Sequence, residues 1–230
     1  MTGDLDALLV SLQLTDSAFP SGMYTLSHGL EGYAQAKAVD QDTMPVLLAD
    51  LLRHSVGPAD ATALALAHRA AGRGDWDAVV ETDERLHATK LNRELRLAST
   101  RTGRQMLDTA RIALGGEALE RYADLVTAKR TPGCQAVAAG VVYAVNGVPA
   151  EQAVASDLFA FCVSFTGAAL RLRLTDHRRA QVTLRELAPL IQEVAAAALR
   201  RELADLGGCV PVADVMSGRH ERAEARMFAT

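Results

Sequence analysis

Cysteines and aromatic residues are scarce in this chain. The three cysteines, Cys134, Cys162 and Cys209, are odd in number and far apart, and no CxxC pair or short Cys/His cluster occurs. This pattern argues against a disulfide framework and indicates buried thiols in a reducing compartment. Only ten residues are aromatic (Phe 5, Tyr 4, Trp 1), so finding Phe19 and Tyr24 together near the N-terminus singles out that segment.

An excess of basic residues is also missing. The 24 Lys and Arg residues are outnumbered by 28 Asp and Glu residues, which gives a net charge of −4 and disfavours nucleic-acid binding. The first ten residues lack the basic and apolar regions of a secretory signal. The longest strongly apolar run, residues 158–170, falls short of the roughly 20 residues that a membrane span needs. We therefore expect a cytoplasmic protein with neither a membrane nor a nucleic acid as partner.

Recognisable catalytic motifs are absent from the sequence. There is no GxxxxGK[ST], GxGxxG, HExxH or GxSxG, so we expect a non-enzymatic chain that does not bind a nucleotide by either glycine-rich route. One Glu-x-x-His pair, Glu84 and His87, is a candidate surface pair, because a helical di-iron site needs two such pairs. No set of residues has the spacing of a metal site, although transient ligation by His28, His220 or Cys209 stays open as an alternative.

What the sequence does contain predicts an all-α fold. Ala, Leu, Arg and Glu, all good helix formers, dominate the chain, and strand-like alternation is scarce. A chain of 24.5 kDa can bury a sufficient core without disulfides or structural metals. We predict a single compact domain of about nine to ten helices over residues 1–208, followed by a C-terminal tail over residues 209–230.

Three local expectations follow from helix-boundary residues. A helix is expected to start after Gly22 and to run to about residue 37. A further helix is expected to end near Ser55, before Pro58 starts the next one. Thr183 and Glu186 have the spacing of a capping box, which predicts the start of the last long helix.

The N-terminal segment, residues 12–31, mixes glycine, proline, aromatic and charged residues. Pro20 fixes φ and Gly22 permits a tight turn, so the segment is either a structural elbow or a surface that a partner recognises. Tyr24, His28 and Glu31 stand at helical spacing and are expected to share one face, poorly suited to a dry core. The partner-binding candidates in this segment are Pro20, Gly22, Tyr24, His28, Gly29 and Glu31.

Residues 91–113 predict a helix with two distinct sides, because 3.6 residues per turn bring positions 93, 96, 100 and 104 to one face. The arginine side is either a solvated face or a stripe that meets an acidic partner, since the planar guanidinium pairs bidentately with carboxylates. The expected apolar side comprises Leu91, Leu95, Ala98, Thr102 and Met106. The partner-binding candidates are Arg93, Glu94, Arg96, Gly103 and Arg104.

The tail differs from an ordinary chain end, which is frayed and polar. Met216, Ala223 and Met227 are expected on one helical face, and Phe228 follows. Two interpretations stay open: the tail folds back on its own domain, or it docks onto another protein with arginines supplying polar contacts. The partner-binding candidates are Asp214, Ser217, His220, Glu221, Arg226 and Phe228.

Three separated segments together resemble the UreF family of urease accessory proteins. LQLTDSAFPSGMYTLSHGLE (residues 12–31) is similar to the family pattern LLQLxSPxLPxGxFxYSxGLE. RELRLASTRTGRQML (residues 93–107) is similar to RExRxxSxxxGRxLL, and VPVADVMSGRHERAEARMF (residues 210–228) to the ending PxxDxxSMxHExxxxRLF. Residues 173–181, RLTDHRRAQ, depart from the PLGQxxGQ-like segment that the family usually has. The likeness nevertheless spans nearly the whole chain.

The resemblance implies a non-enzymatic, all-α homodimer with no cofactor of its own. Such a protein would bind a UreD-type (UreH) accessory protein through its tail and neighbouring helices, and the complex would recruit the UreG GTPase. The assembly would insert nickel into apo-urease, with nickel handled by the complex and GTP hydrolysis modulated in the GTPase. The alternative from the residues alone is a helical adaptor or regulator of another GTPase or metalloenzyme assembly, with no catalysis of its own.

Overall fold

The computed structural model describes residues 2–230, and no strand occurs among them. The all-α prediction is confirmed, with more helices than expected because several are short. The α-helices are α1 Thr2–Thr15, α2 Leu30–Gln35, α3 Met44–Leu51, α4 Thr62–Ala71, α5 Trp76–Thr89, α6 Arg93–Ala113, α7 Glu117–Thr127, α8 Gln135–Val145, α9 Ala150–Arg171, α10 His177–Glu186, α11 Ala188–Arg200 and α12 Pro211–His220.

The centre of the core is the contact between α4 and α8. Small side chains let these helices approach closely: a Cβ on Gly140 of α8 would lie 2.5 Å from the Leu64 carbonyl oxygen of α4. Close packing of this kind leaves no room for a larger residue. Helix α9 packs on α4 and α8 and also contacts α1, α10 and α11, while α6 covers α8 from another direction.

Helix α9 is longer than the apolar run that the sequence suggested. Its 22 residues are, by length and composition alone, long and apolar enough to cross a membrane. Its contacts with α1, α4, α8, α10 and α11 instead make it a central packing element of the fold. Buried α9 residues such as Leu158 and Phe165 lie in the same hydrophobic core as α4 and α8.

The expected break at Pro58 is wrong. The chain stays helical from α3 to α4 through a π-helical segment, Leu52–Ala61, that contains Pro58. Proline lacks an N–H and leaves a helical carbonyl without its usual donor. Two carbonyls of this segment accept bonds from outside the helix: the His54 oxygen from Cys209 N at 2.8 Å and the Pro58 oxygen from Gly207 N at 3.1 Å. A Cβ on Gly208 would lie 2.6 Å from the His54 oxygen, so residues 207–209 lie flat on the π-helical segment.

The single helix expected over residues 22–37 is also wrong. The structure has a 3-10 turn, Met23–Thr25, then an irregular stretch, and only then α2. His28 has φ 55° and Gly29 φ 85°, both left-handed, which interrupts any right-handed helix at that point. Tyr24, His28 and Glu31 therefore do not share a helical face.

The capping box predicted at Thr183 is wrong as well. Thr183 is buried inside α10, whose true N-cap is Asp176. The Asp176 carboxylate accepts from Arg178 N at 2.8 Å and Arg179 N at 2.9 Å, as an N-cap aspartate does. The unusual stretch 173–181 thus forms the turn before α10 and its first residues.

Two of the three cysteines are buried as expected, and one is not. Cys134 and Cys162 are inaccessible, and burial raises the pKa of Cys162 to about 12. Cys209 is exposed, which corrects the prediction for that thiol. It lies on the outside because its backbone, not its side chain, contacts the π-helical segment.

The tail folds back on its own domain, the first of the two interpretations above. Helix α12 packs on α2 and α6. Beyond it the chain runs alongside the 3-10 turn: Ala229 N donates to the Thr25 oxygen at 2.9 Å, and Ser27 N donates to the Thr230 oxygen at 3.1 Å. The tail is therefore a packed part of the fold.

Candidate functional site

Three of the sequence candidates meet around one buried imidazole. His220 of α12 has 0% exposure and lies between Glu31 of α2 and Glu94 of α6. Its Nε2 is 2.8 Å from Glu31 Oε2, and its Nδ1 is 3.1 Å from Glu94 Oε2. We call Glu31, Glu94 and His220 the buried charge cluster. It joins the three segments that resemble the family patterns.

The cluster needs two donors from one ring. Each imidazole nitrogen faces a carboxylate oxygen, and a carboxylate oxygen accepts, so the ring donates to both only when each of its nitrogens carries a hydrogen. Arg226 donates to the other oxygen of Glu94. Arg226 thus brings a guanidinium group to a cluster that contains two carboxyl groups.

Glu31 also holds the end of the tail. Its Oε1 accepts from Met227 N at 2.8 Å and its Oε2 from Phe228 N at 3.0 Å. Burial pushes the pKa of Glu31 upward, but the bonds from Met227 N, His220 and Phe228 N outweigh burial, so its pKa lies below the usual value. The ionised carboxylate is therefore the form that binds the tail.

Arg171, at the end of α9, is an important residue that sequence reasoning did not select. Its guanidinium carbon lies 4.0 Å from the Tyr24 ring centroid and 4.3 Å from that of Phe228, so the two rings sandwich it. Nη1 also donates to the Tyr24 oxygen at 2.7 Å. These partners lie far away in sequence, so no local pattern marks Arg171.

The remaining N-terminal candidates lie outside the buried charge cluster. Pro20 is exposed, and Tyr24 is 68% exposed beside Arg171. Gly22 has φ 82° and faces Gln105, where an added Cβ would lie 2.7 Å from the amide oxygen. Gly29 is left-handed with open space around it.

The arginines of α6 divide into two kinds. Arg93 and Arg104 are exposed, whereas Arg96 is half-buried and donates to the Lys90 and Leu91 carbonyls, including 3.2 Å to Leu91. Gly103 is a packing position, since an added Cβ would lie 2.7 Å from the Cys134 carbonyl carbon. Leu91, expected on the apolar side, is in fact exposed.

The tail candidates also divide by burial. Ser217 is buried with a hydroxyl that has no hydrogen-bond partner, while Asp214 and Glu221 are half-buried. Burial raises the pKa of Asp214 above its usual value. Phe228 is buried beneath Arg171.

A basic groove of about 920 Å³ runs between the outer side of α6 and the end of the tail. Three arginines line it, Arg101, Arg104 and Arg226, together with the exposed Leu97 and two acidic residues, Asp108 and Glu94, of which Glu94 pairs with Arg226. Arg101 also donates to Thr25 Oγ1 at 3.0 Å, which ties the groove to the 3-10 turn. The groove offers several guanidinium groups to an acidic surface.

On its inner side, the site has a smaller cavity of about 170 Å³. His28 lines it and its Nε2 lies 2.8 Å from Ser164 Oγ. Across the cavity, Lys90 Nζ pairs with Asp60 at 2.8 Å. Burial raises the pKa of Asp157, another lining residue, to about 6. Among residues 2–230, no three His, Cys, Asp or Glu side chains are placed to hold a metal ion together.

Because of His28, the free energy of unfolding should fall as the solution becomes mildly acidic. Burial lowers its pKa to about 4, whereas an unfolded histidine binds a proton near pH 6.5. Below about pH 6.5 the unfolded chain therefore gains a proton that the folded chain does not, so stability falls as pH drops towards 4. We expect the free energy of unfolding to fall by about 2 kcal/mol more between pH 7 and 5 in the unaltered chain than in His28→Asn. Urea unfolding at both pH values measures this, and parallel losses would contradict it.

Comparison with known proteins gives consistent matches. The chain matches the family model described as UreF over residues 38–188. It is 30% identical over 230 residues to the urease accessory protein UreF of Trichodesmium erythraeum, covering 100% of this chain and 99% of the relative. It is 35% identical over 213 residues to UreF of Rhodopseudomonas palustris, covering 92% and 87%. With UreF 2 of Brucella abortus it shares 29% identity over 229 residues, covering 97% and 92%.

Proposed function

This chain belongs to the UreF family of urease accessory proteins, which places it in urease maturation, and we propose that it acts there as a non-enzymatic scaffold. In this proposal it bridges a UreD-type (UreH) accessory protein and the UreG GTPase so that nickel reaches apo-urease. Nickel is then cargo of the complex, and this chain has no resident cofactor.

The observation that carries the proposal is the convergence of the three family-like segments. Glu31, Glu94 and His220 come from segments far apart in sequence, yet their side chains meet in one cluster. The exposed side chains of the same segments, including Tyr24 and Arg104, then lie on the outside of that cluster. A scaffold needs such a rigid surface more than it needs a reactive pocket.

The charge of the basic groove supports the assignment of different parts of the surface to different partners. The groove residues Arg101, Arg104 and Arg226 favour an acidic protein surface, and we assign it to the GTPase together with Tyr24. The tail is assigned to the UreD-type protein. We further propose that the chain works as a homodimer in the cytoplasm and modulates GTP hydrolysis in its partner.

Removing the gene should abolish urease activity while apo-urease is still made. Without the scaffold the enzyme subunits accumulate without nickel, so both specific activity and the nickel content of purified urease should fall at least tenfold. Re-expression of the chain should restore both, and excess nickel in the medium should restore activity only partly. Full activity and full nickel content in the deletion strain would contradict a role as scaffold.

Charge reversal in the groove should weaken capture of the GTPase. We expect Arg101→Glu/Arg104→Glu to reduce pull-down of UreG by the complex at least tenfold, because two attractive contacts become repulsive. The matched control is Arg185→Glu, an exposed arginine on α10. Salt screens the attraction between surface charges. Pull-down of the GTPase by the complex that contains the unaltered chain should therefore fall as ionic strength rises. Equal capture by the groove variant and the control would remove the groove from the interface.

A further inference from the structure

The proposed scaffold function does not use the cavity of about 170 Å³ that His28 lines, here called the inner cavity. An engineered protein cavity of about 150 Å³ holds a benzene molecule, so this volume is large enough for a small organic compound. Leu91 and Gly208, both exposed, belong to its lining, so the inner cavity opens to the surface at that end. A ligand therefore has a path into it.

Carboxyl groups outnumber basic groups around the inner cavity. Asp60, Asp157 and Asp214 line it, and Lys90 is the basic residue of the same lining. Lys90 Nζ lies 2.8 Å from Asp60 Oδ1, so its charge is already paired with that carboxylate. His28 does not offset the surplus, because burial lowers its pKa to about 4 and the ring is neutral near pH 7. The inner cavity therefore carries an excess of negative charge.

Asp157 of α9 contributes most directly to this excess. Its Oδ1 accepts from Gln135 Nε2 at 2.8 Å, and that donor is neutral. Burial raises the pKa of Asp157 to about 6 against the effect of the Gln135 bond, and the charge of Asp60 adds to the rise. The carboxylate is still mostly ionised at pH 7. Because a buried charge is stabilised by an opposite charge, a cation in the inner cavity would lower the free energy of this arrangement.

Two hydroxyl groups at the inner cavity also lack a partner. Ser217 and Thr230 line it, and each is only 2% exposed. Neither Ser217 Oγ nor Thr230 Oγ1 has a hydrogen-bond partner within residues 2–230. Buried polar groups normally have one, and a hydroxyl oxygen accepts from N–H donors. A ligand with several N–H donors therefore complements both the hydroxyls and the carboxylates.

The remainder of the lining is mainly apolar, including Leu26, Leu51, Leu95 and Phe161. A metal ion does not suit this wall, since nowhere in residues 2–230 do three His, Cys, Asp or Glu side chains come together to hold one. An organic cation does, because its hydrocarbon part can pack against the leucines. The Phe161 ring is in addition a favourable neighbour for a positive charge.

We propose that the inner cavity is a binding site for a small organic ammonium ion, that is, a protonated amine with a compact hydrocarbon body. The ammonium group donates to Asp157, and the hydrocarbon body contacts Phe161 and the neighbouring leucines. A hydrogen bond between two charged groups is stronger than one between neutral groups, so charge and shape both select the ligand. This site belongs to the chain alone and does not depend on the bridging function.

Isothermal titration calorimetry of the full chain with benzylammonium chloride at pH 7.5 tests the site. Benzyl alcohol has the same body without the charge and should bind at least tenfold more weakly. Asp157→Asn keeps the shape of the side chain and should weaken benzylammonium binding at least tenfold while leaving benzyl alcohol binding unchanged. The matched control is Asp124→Asn, which makes the same change at an exposed position of α7 and should bind as the unaltered chain does.

A second variant tests the position of the ligand. Ala98 of α6 lines the inner cavity, so Ala98→Leu should fill part of it and abolish binding of both compounds, while circular dichroism shows that the helices persist. Absence of benzylammonium binding by the unaltered chain would overturn the proposal and leave the scaffold function untouched. Equal affinity for the two compounds, or equal affinity of Asp157→Asn and Asp124→Asn, would overturn it as well. So would nickel chloride displacing benzylammonium from the unaltered chain, because the carboxylates would then serve a metal ion.

Discussion

Glu31→Ala is expected to release the tail from the domain. The substitution removes the acceptor of three tail donors, His220 Nε2, Met227 N and Phe228 N, of which the first and the last are buried. Loss of one member of a buried ionic group costs about 3 to 5 kcal/mol. We expect amide exchange at Met227 and Phe228 to accelerate about a hundredfold, which corresponds to about 3 kcal/mol. Hydrogen exchange with mass spectrometry measures this directly.

Two controls define the origin of that effect. Glu224→Ala removes an exposed carboxylate from the same tail and should leave exchange unchanged. Glu31→Gln keeps one acceptor oxygen and should give an intermediate acceleration. If Glu31→Ala exchanged no faster than Glu224→Ala, Glu31 would not be the anchor of the tail.

Because of the Glu31 carboxylate, the attachment of the tail to the domain should also depend on pH. The pKa of Glu31 is lower in the folded chain than its ordinary value of about 4.3. Its contribution to stability is therefore complete above about pH 4.3 and is lost as pH falls through the lower, folded pKa. We expect tail protection in the unaltered chain to decline only in that acidic range, and the Glu31→Gln variant to lack this step.

Asp83→Ala should destabilise the whole domain more than any surface change. Asp83 of α5 is completely buried, and its carboxylate accepts from four neutral donors. These donors are Tyr122 OH at 3.1 Å, Thr131 Oγ1 at 2.6 Å, Gly133 N at 2.7 Å and Cys134 N at 2.9 Å. Alanine would leave all four donors buried and unpaired, at about 1 to 3 kcal/mol each before relaxation.

We expect the free energy of unfolding to fall by about 3 to 5 kcal/mol in Asp83→Ala, after water enters the site and the turn before α8 relaxes. Urea unfolding followed by circular dichroism measures the change. Glu84→Ala, one residue further along α5 and exposed, is the control and should stay within about 0.5 kcal/mol. A loss below 1 kcal/mol in Asp83→Ala would show that this turn does not depend on the carboxylate.

The helix predicted over residues 91–113 lies close to α6, because the residues that start helices such as α5 and α6 are local. Asp75 and Asn92 cap them by accepting from Ala78 N at 3.1 Å and Leu95 N at 2.8 Å, three residues away in each case. The break at His28 could not be predicted in the same way. Its left-handed backbone is compensated by contacts with Ser164 and with the Phe161 ring, whose centroid lies 4.7 Å away, both on α9.

The continuous helix through Pro58 depends on still longer connections. Its unusual carbonyls are satisfied by residues 207–209, which no window of sequence around Pro58 contains. Likewise, the family-like motifs identified Glu31, Glu94 and His220 as candidates, but nothing in one chain indicated that they contact each other. Asp83 was also missed, because its four donors lie 39 to 51 residues further along the chain.

The contact of residues 207–209 with the π-helical segment also determines how readily a detached tail rebinds to its own domain in competition with a partner protein. Because Cys209 N is bonded to the His54 oxygen at 2.8 Å, a released tail remains tethered at a fixed point beside the domain. Helix α12 has ten residues and spans only about 15 Å, so a detached tail explores a small volume at an effective concentration on the order of millimolar. A partner that pulls the tail away must outcompete this rebinding, whereas one that binds the seated tail does not.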